Sequence, residues 1–142
     1  MRHIEKTTPP LEFIQYYTET PGVTFDELPG TIRKVLKERL LEDQGYICCY
    51  CGRRIHNDGD TKIDHIKSQE GHGELILDFY NMLASCDGGD KDRAKRLKPR
   101  HSTHCDARKK TQELPVSPLD DIDGLLMFFV MEVSREKVKV KN

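Results

Sequence analysis

The chain has 142 residues, 36% hydrophobic and 33% charged, with no Trp and a formal net charge of −1. That length suits one domain, or one domain with extensions, around a modest core. No apolar run reaches the roughly 18 residues that a membrane span needs, and the opening Met1-Arg2-His3-Ile4-Glu5-Lys6 lacks the apolar core of a signal peptide. A cytoplasmic location is therefore expected, where disulfides rarely persist. Five cysteines then point to a bound metal, with one cysteine spare.

In chain order, Thr8 followed by Pro9-Pro10 predicts a capped helix start, with Leu11, Phe13, Ile14 and Tyr17 on an apolar face and Pro21-Gly22 as its end. Thr24 and Glu27 have capping-box spacing and predict a single turn. Ile32, Val35, Leu36 and Leu40 predict a longer helix from Thr31, stopped by Gly45. Cys48 and Cys51 then flank a tight turn, Gly52 folds the backbone back, and Arg53-Arg54-Ile55 leaves as a strand. A turn at Asn57-Asp58-Gly59-Asp60 precedes a strand, Lys62-Ile63-Asp64-His65-Ile66, whose alternation sends Asp64 and His65 to opposite faces. After a Gly-rich loop come Asn81 and Cys86, and from Cys105 to Gln112 a helix is expected before Pro115. The apolar run 125–133 reads as a buried strand.

The chemistry concentrates between Cys48 and Lys110. Zinc takes four soft ligands in tetrahedral geometry, and Cys48-x-x-Cys51 supplies two from one turn. Cys86 and Cys105 make the second pair across an unusually long gap, with His101 and His104 as competitors for the fourth position. Cys49, inside the first turn, is poorly placed to join the same ion. Between the pairs stands Asp64-His65. A neutral His65 could take a proton from water, while a divalent ion on Asp64 could stabilise a leaving oxyanion. Asn81 is placed to tie down the loop that orients His65. Asp106 could both cap its helix and hold metal, and Lys109, three residues on, could reach a phosphate. Lys91, Arg93, Lys95, Arg96, Lys98, Arg100, Arg108 and Lys110 form, with Lys109, a basic stripe able to follow a nucleic-acid backbone on an otherwise neutral chain.

These residues resemble the HNH, or ββα-metal, endonucleases. The resemblance implies an α+β fold: a ββα-metal finger with a structural zinc knuckle, packed on N-terminal helices. The divisions expected are helical support over 1–45, the finger over 46–114 and a strand-like extension over 115–142. It assigns Asp64 and Asp106 to a catalytic Mg²⁺ or Mn²⁺, His65 to the general base, Asn81 to orientation, and Cys48, Cys51, Cys86 and Cys105 to zinc. Asp106 stands where that family commonly has His or Asn. Cleavage would leave a 5′-phosphate and a 3′-hydroxyl.

Ile4-Glu5-Lys6, Pro9-Pro10, Gln44-Gly45, Tyr50-Cys51, Asp64-His65-Ile66, Asn81-Met82-Leu83-Ala84-Ser85-Cys86 and His104-Cys105-Asp106 together resemble more narrowly the PtuB nucleases of Septu and retron-linked antiphage systems. That resemblance implies a PtuA-like ATPase partner, a DNA or tRNA substrate, and in some systems a retron reverse transcriptase with its DNA–RNA product. The competing expectation is a non-catalytic zinc module that binds nucleic acid or protein through its knuckle and basic stripe.

Overall fold

The computed structural model describes residues 2–91 and 103–120. Among the described residues the longest helix, α2 (Gly30–Gln44), buries Leu36, Leu40, Leu41 and Gln44 and ends at Gly45, whose φ of 64° is the left-handed conformation glycine tolerates best. The shorter α1 (Leu11–Glu19) packs against it through Phe13. Two expectations for α1 need correction. Pro10, not Thr8, occupies its N-terminal cap position without a side-chain hydrogen bond, and Leu11 points outward, 64% exposed. The Thr24–Glu27 box is present and closes a 3-10 turn at Phe25–Glu27, with the Thr24 N–H donating to Glu27 Oε2 at 2.8 Å.

The sheet has two antiparallel strands, β1 (Thr61–His65) and β2 (Met82–Cys86), in the register Ile63↔Ala84, Asp64↔Leu83 and His65↔Met82. Every residue of β2 is buried. The buried Gln44 side chain joins it to α2. The Ala84 N–H donates to Gln44 Oε1 at 2.7 Å, and Gln44 Nε2 donates to Ala84 O and Ile47 O, each at 2.8 Å. One amide thus satisfies backbone groups of the strand and of the turn beyond the helix, groups that would be costly to bury unpaired. Arg53-Arg54-Ile55 does not form the expected strand. Only an isolated bridge, Ile47↔Arg54, is present, because Gly52 reverses the chain immediately before it and Arg53 and Arg54 are exposed.

The last described helix, α3 (Cys105–Lys109), stops three residues short of the expected Gln112. Lys110 takes a positive φ of 51° there, which ends the helix before either proline is reached. One cluster of buried residues joins Phe13, Leu28, Leu36, Leu40 and Leu41 to Cys48, Phe79, Met82, Ala84 and Cys86. The sheet and the Cys48–Cys51 turn therefore rest directly on the N-terminal helices. The apolar run 125–133 lies outside the described residues.

Candidate active site and metal centre

The turn after α2 builds half of a thiol cluster. Gly52, at a φ of 72°, lets its own N–H donate to Cys48 O at 3.0 Å while the Cys48 N–H donates to Arg53 O at 2.7 Å. Cys48 and Cys51 are thereby brought together. Cys86 ends β2 and Cys105 begins α3, and the stretch between them is bridged at its base, where the His104 N–H donates to Gly88 O at 2.9 Å. The Sγ atoms of Cys48, Cys51, Cys86 and Cys105 all lie within 4.8 Å of one another. Two of the pairs, Cys48–Cys105 and Cys51–Cys86, stand at 3.9 Å. Tetrahedral zinc with Zn–S bonds of about 2.3 Å requires edges of roughly 3.8 Å, so the donor set fits a metal such as zinc.

The electrostatics of the cluster agree. Hydrogen bonds from the Cys49 side chain and then from the backbone N–H groups of Cys51, Cys86 and Tyr50 pull the Cys48 thiol down to about 4, against burial. Burial first, and then the charge on Cys48, raises Cys105; Cys86 is pushed up to about 11, chiefly by burial. Such opposed shifts are the physical consequence of crowding four thiols together, where a negative charge on one disfavours charge on the next. Of the two competing histidines, His104 lies close, its Nδ1 3.1 Å from Cys105 Sγ and 3.9 Å from Cys86 Sγ. His101 is outside the described residues. Cys49, the spare cysteine, is buried against Ile4 and Leu83.

Beside this cluster β1 carries Asp64 and His65 to a cleft of about 310 Å³, lined by them together with Ile63, Ser68, Gln69, Glu70, Asp106, Lys110 and Thr111. His65 is held by a bond from its Nε2–H to Ile76 O at 2.9 Å. The opposite nitrogen, Nδ1, is therefore the acceptor, and it faces the Gln69 amide at 3.0 Å. The Phe25 ring meets it edge-on at 4.8 Å. Burial lowers its pKa from the ordinary imidazole value, more than the Ile76 carbonyl and the Asp64 charge raise it. The ring is thus neutral at neutral pH.

Asn81 holds the loop that follows β1. Its Oδ1 accepts from the Lys67 N–H at 2.9 Å, and its Nδ2 donates to Lys67 O at 3.1 Å and Leu75 O at 3.3 Å. Ile76, whose carbonyl anchors His65, is the next residue. Asp106, in the first turn of α3, makes no helix cap; the cap position belongs to His104, which has no side-chain cap bond either. The Asp106 carboxyl instead hydrogen-bonds that of Asp64. Its pKa is pushed up to about 6, first by burial and then by the Asp64 charge. Two carboxylates forced together at a partly buried edge fit a hard divalent cation, which oxygen donors suit.

Lys109 departs from expectation. Its side chain is 4% exposed and is not among the groups lining the cleft. Its Nζ lies 3.3 Å from Asp64 Oδ2 and donates to His65 O at 2.8 Å. A buried carboxylate draws in a cation from the next element to offset its desolvation, so Lys109 supports Asp64 rather than projecting to a phosphate. Tyr50, which the sequence placed in a motif but gave no role, donates its hydroxyl to Asp64 Oδ2. Of the basic stripe, Lys91, Arg108 and Lys110 are exposed, and Lys91 pairs with Asp60. Arg93, Lys95, Arg96, Lys98 and Arg100 fall outside the described residues.

Fold and site together define an α+β protein with a cluster of four thiols that could hold a metal, beside a cleft lined by Asp64, His65 and Asp106. The chain is 32% identical, over an alignment of 99 residues covering 63% of it, to an Escherichia coli protein of retron Ec83 named, provisionally, as an HNH endonuclease. That similarity supports the HNH resemblance carried by the motifs, and does so in a retron context. The chain spans 38% of the relative's length. No protein-family model matches it. Among the described residues no helix is long and apolar enough to cross a membrane.

Proposed function

We propose that this chain is a divalent-metal-dependent HNH endonuclease that hydrolyses phosphodiester bonds in nucleic acid, most suitably DNA. One observation carries the reading: β1 presents Asp64 and a neutral His65 side by side to a cleft that α3 closes with Asp106. The chain order β1, β2, α3 is that of a ββα-metal finger, and the thiol cluster is its structural zinc site.

Asp64 and Asp106 would hold Mg²⁺ or Mn²⁺, which when bound supplies positive charge for the leaving oxygen. His65 does the proton work. Its Nε2–H stays on Ile76 O, so Nδ1 has the lone pair that accepts a proton from the attacking water. The Gln69 amide occupies that lone pair at rest, and Gln69 is exposed on its loop, free to turn aside for water and substrate. Asn81 keeps the loop, and with it the Ile76 carbonyl, in register. Lys110 at the cleft and the exposed Arg108 and Lys91 would add contacts to the flanking backbone, with Arg93, Lys95, Arg96, Lys98 and Arg100 proposed for the same role from the sequence alone.

The retron in the relative's name, with the Septu-like motifs, favours work as the nuclease effector of a cytoplasmic antiphage complex. Its partners there would be a PtuA-like ATPase and a retron reverse transcriptase with its DNA–RNA product. The test is cleavage of plasmid and of tRNA by the full chain, with and without the ATPase, in Mg²⁺, Mn²⁺ or EDTA. Cleavage dependent on the divalent ion should fall by about two to four orders of magnitude in His65→Ala, the range a positioned general base supplies. Undiminished cleavage by His65→Ala would refute the assignment. If zinc-loaded wild type cuts neither substrate under any condition, a zinc-stabilised binding module is the better description.

A further inference from the structure

Both groups that hold Asp64 from outside the cleft come from segments that carry thiol ligands. Tyr50 lies inside the Cys48–Cys51 turn, its backbone N–H hydrogen-bonded to the Cys48 sulfur while its hydroxyl reaches Asp64 Oδ2. Lys109 lies one turn along the helix that Cys105 begins, and its Nζ sits 3.3 Å from the same oxygen. Neither side chain lines the cleft, whereas Asp64 and Asp106 do.

A carboxylate has about four lone-pair positions. The ammonium spans both oxygens, 3.3 Å from Oδ2 and 3.4 Å from Oδ1, while the phenol holds Oδ2 alone, so the two together restrict rotation of Asp64 and leave lone pairs free for an ion. We propose that Tyr50 is a positioning residue that fixes Asp64 as a ligand for the catalytic divalent ion, coupling the geometry of the thiol centre to that of the cleft. This rests on the reading of Asp64 and Asp106 as the divalent-metal site. The thiol centre is then more than a staple, since the turn it closes aims the group that aims the ligand. Partners of this kind, which hold a ligand without touching the metal, typically change affinity by about 10–100-fold when removed.

The test is direct Mn²⁺ binding by the zinc-loaded full chain, read by electron paramagnetic resonance with no substrate present. Wild type, Tyr50→Phe and Asp64→Asn are compared, with zinc content measured for each. Tyr50→Phe should keep its zinc and bind Mn²⁺ at least tenfold more weakly. In cleavage assays the Mn²⁺ concentration for half-maximal rate should rise, while the rate at saturating Mn²⁺ stays near wild type.

Unchanged or tighter Mn²⁺ binding by Tyr50→Phe, with binding lost in Asp64→Asn, would overturn the role of the tyrosine alone. Mn²⁺ binding indifferent to Asp64→Asn would overturn the metal-site reading beneath it. Should Tyr50→Phe fail to retain zinc, 3-fluorotyrosine placed at position 50 alone keeps the ring and hydroxyl and alters the donor strength. It must then shift the Mn²⁺ isotherm, and an unaltered isotherm overturns the proposal.

Discussion

At the scale of single residues, Gly88 sets how the two halves of the thiol centre meet. Its φ is 62°, and a Cβ built on it would lie 2.0 Å from His104 O and 2.8 Å from the Ala107 Cβ. Backbone cannot yield as a flexible side chain can, so Gly88→Ala must push α3 away from β2 and take Cys105 with it. We expect this variant to lose most of its zinc and to unfold with a destabilisation above the common range for single substitutions, of about 3 kcal/mol or more. Zinc content and a denaturant melt check it; a variant with full zinc and wild-type stability would show that α3 is docked otherwise. Nothing in the sequence set Gly88 apart from Gly89. A residue that must be glycine because a distant backbone passes close becomes legible only when both segments are in place. Lys109 was opaque for a related reason. In a basic run it reads as a solvent-facing charge, and its partner Asp64 lies 45 residues away. Asp64, His65 and Asn81, by contrast, stand in short local motifs, although the alternation expected to send Asp64 and His65 to opposite faces does not separate them, since both line the one cleft.

Among elements, legibility followed how much of each is determined by its own neighbours. The apolar spacing of α2 and its terminal glycine fix both ends within a residue. The expected strand at Arg53-Arg54-Ile55 failed because a strand needs a partner, and among the described residues only Ile47 bridges to it. The five residues of α3 are far too few to be helical alone, since isolated helices shorter than about 12 residues are marginal in water. What holds α3 is Cys105 in the thiol cluster, the His104–Gly88 bond and the buried Lys109–Asp64 pair. An ion bound by the four thiols would tighten the first of these anchors. Removing zinc with a chelator should raise backbone hydrogen exchange across residues 46–55 and 103–110 by at least an order of magnitude. The amides of α2, buried through Leu36, Leu40 and Leu41, should keep most of their protection. Uniform loss of protection, with α2 opening as fast as α3, would mean that the thiol centre and the helical core are one cooperative unit.

For the whole molecule, a formal charge of −1 gives no general attraction to nucleic acid. Locally the balance is worse: the cleft is lined by Asp64, Glu70 and Asp106 against Lys110 and a neutral His65. A phosphate approaching the bare site meets carboxylates, and burial together with the Asp64 charge already strains the ionised form of Asp106. A divalent cation removes both penalties at once, so substrate and ion should bind cooperatively. His65→Ala allows this to be measured without turnover. In EDTA that variant should bind a short DNA duplex weakly and with a steep dependence on salt, through the exposed lysines and arginines alone. Added Mg²⁺ competes with protein for phosphates and weakens contacts that are purely of that kind. A site in which the ion bridges carboxylates to phosphate behaves oppositely, and we expect millimolar Mg²⁺ to tighten binding by about fivefold or more, a coupling of roughly 1 kcal/mol. Binding that only weakens as Mg²⁺ is added would place the nucleic acid on the basic surface and not in the cleft, the behaviour expected of a zinc-stabilised binding module.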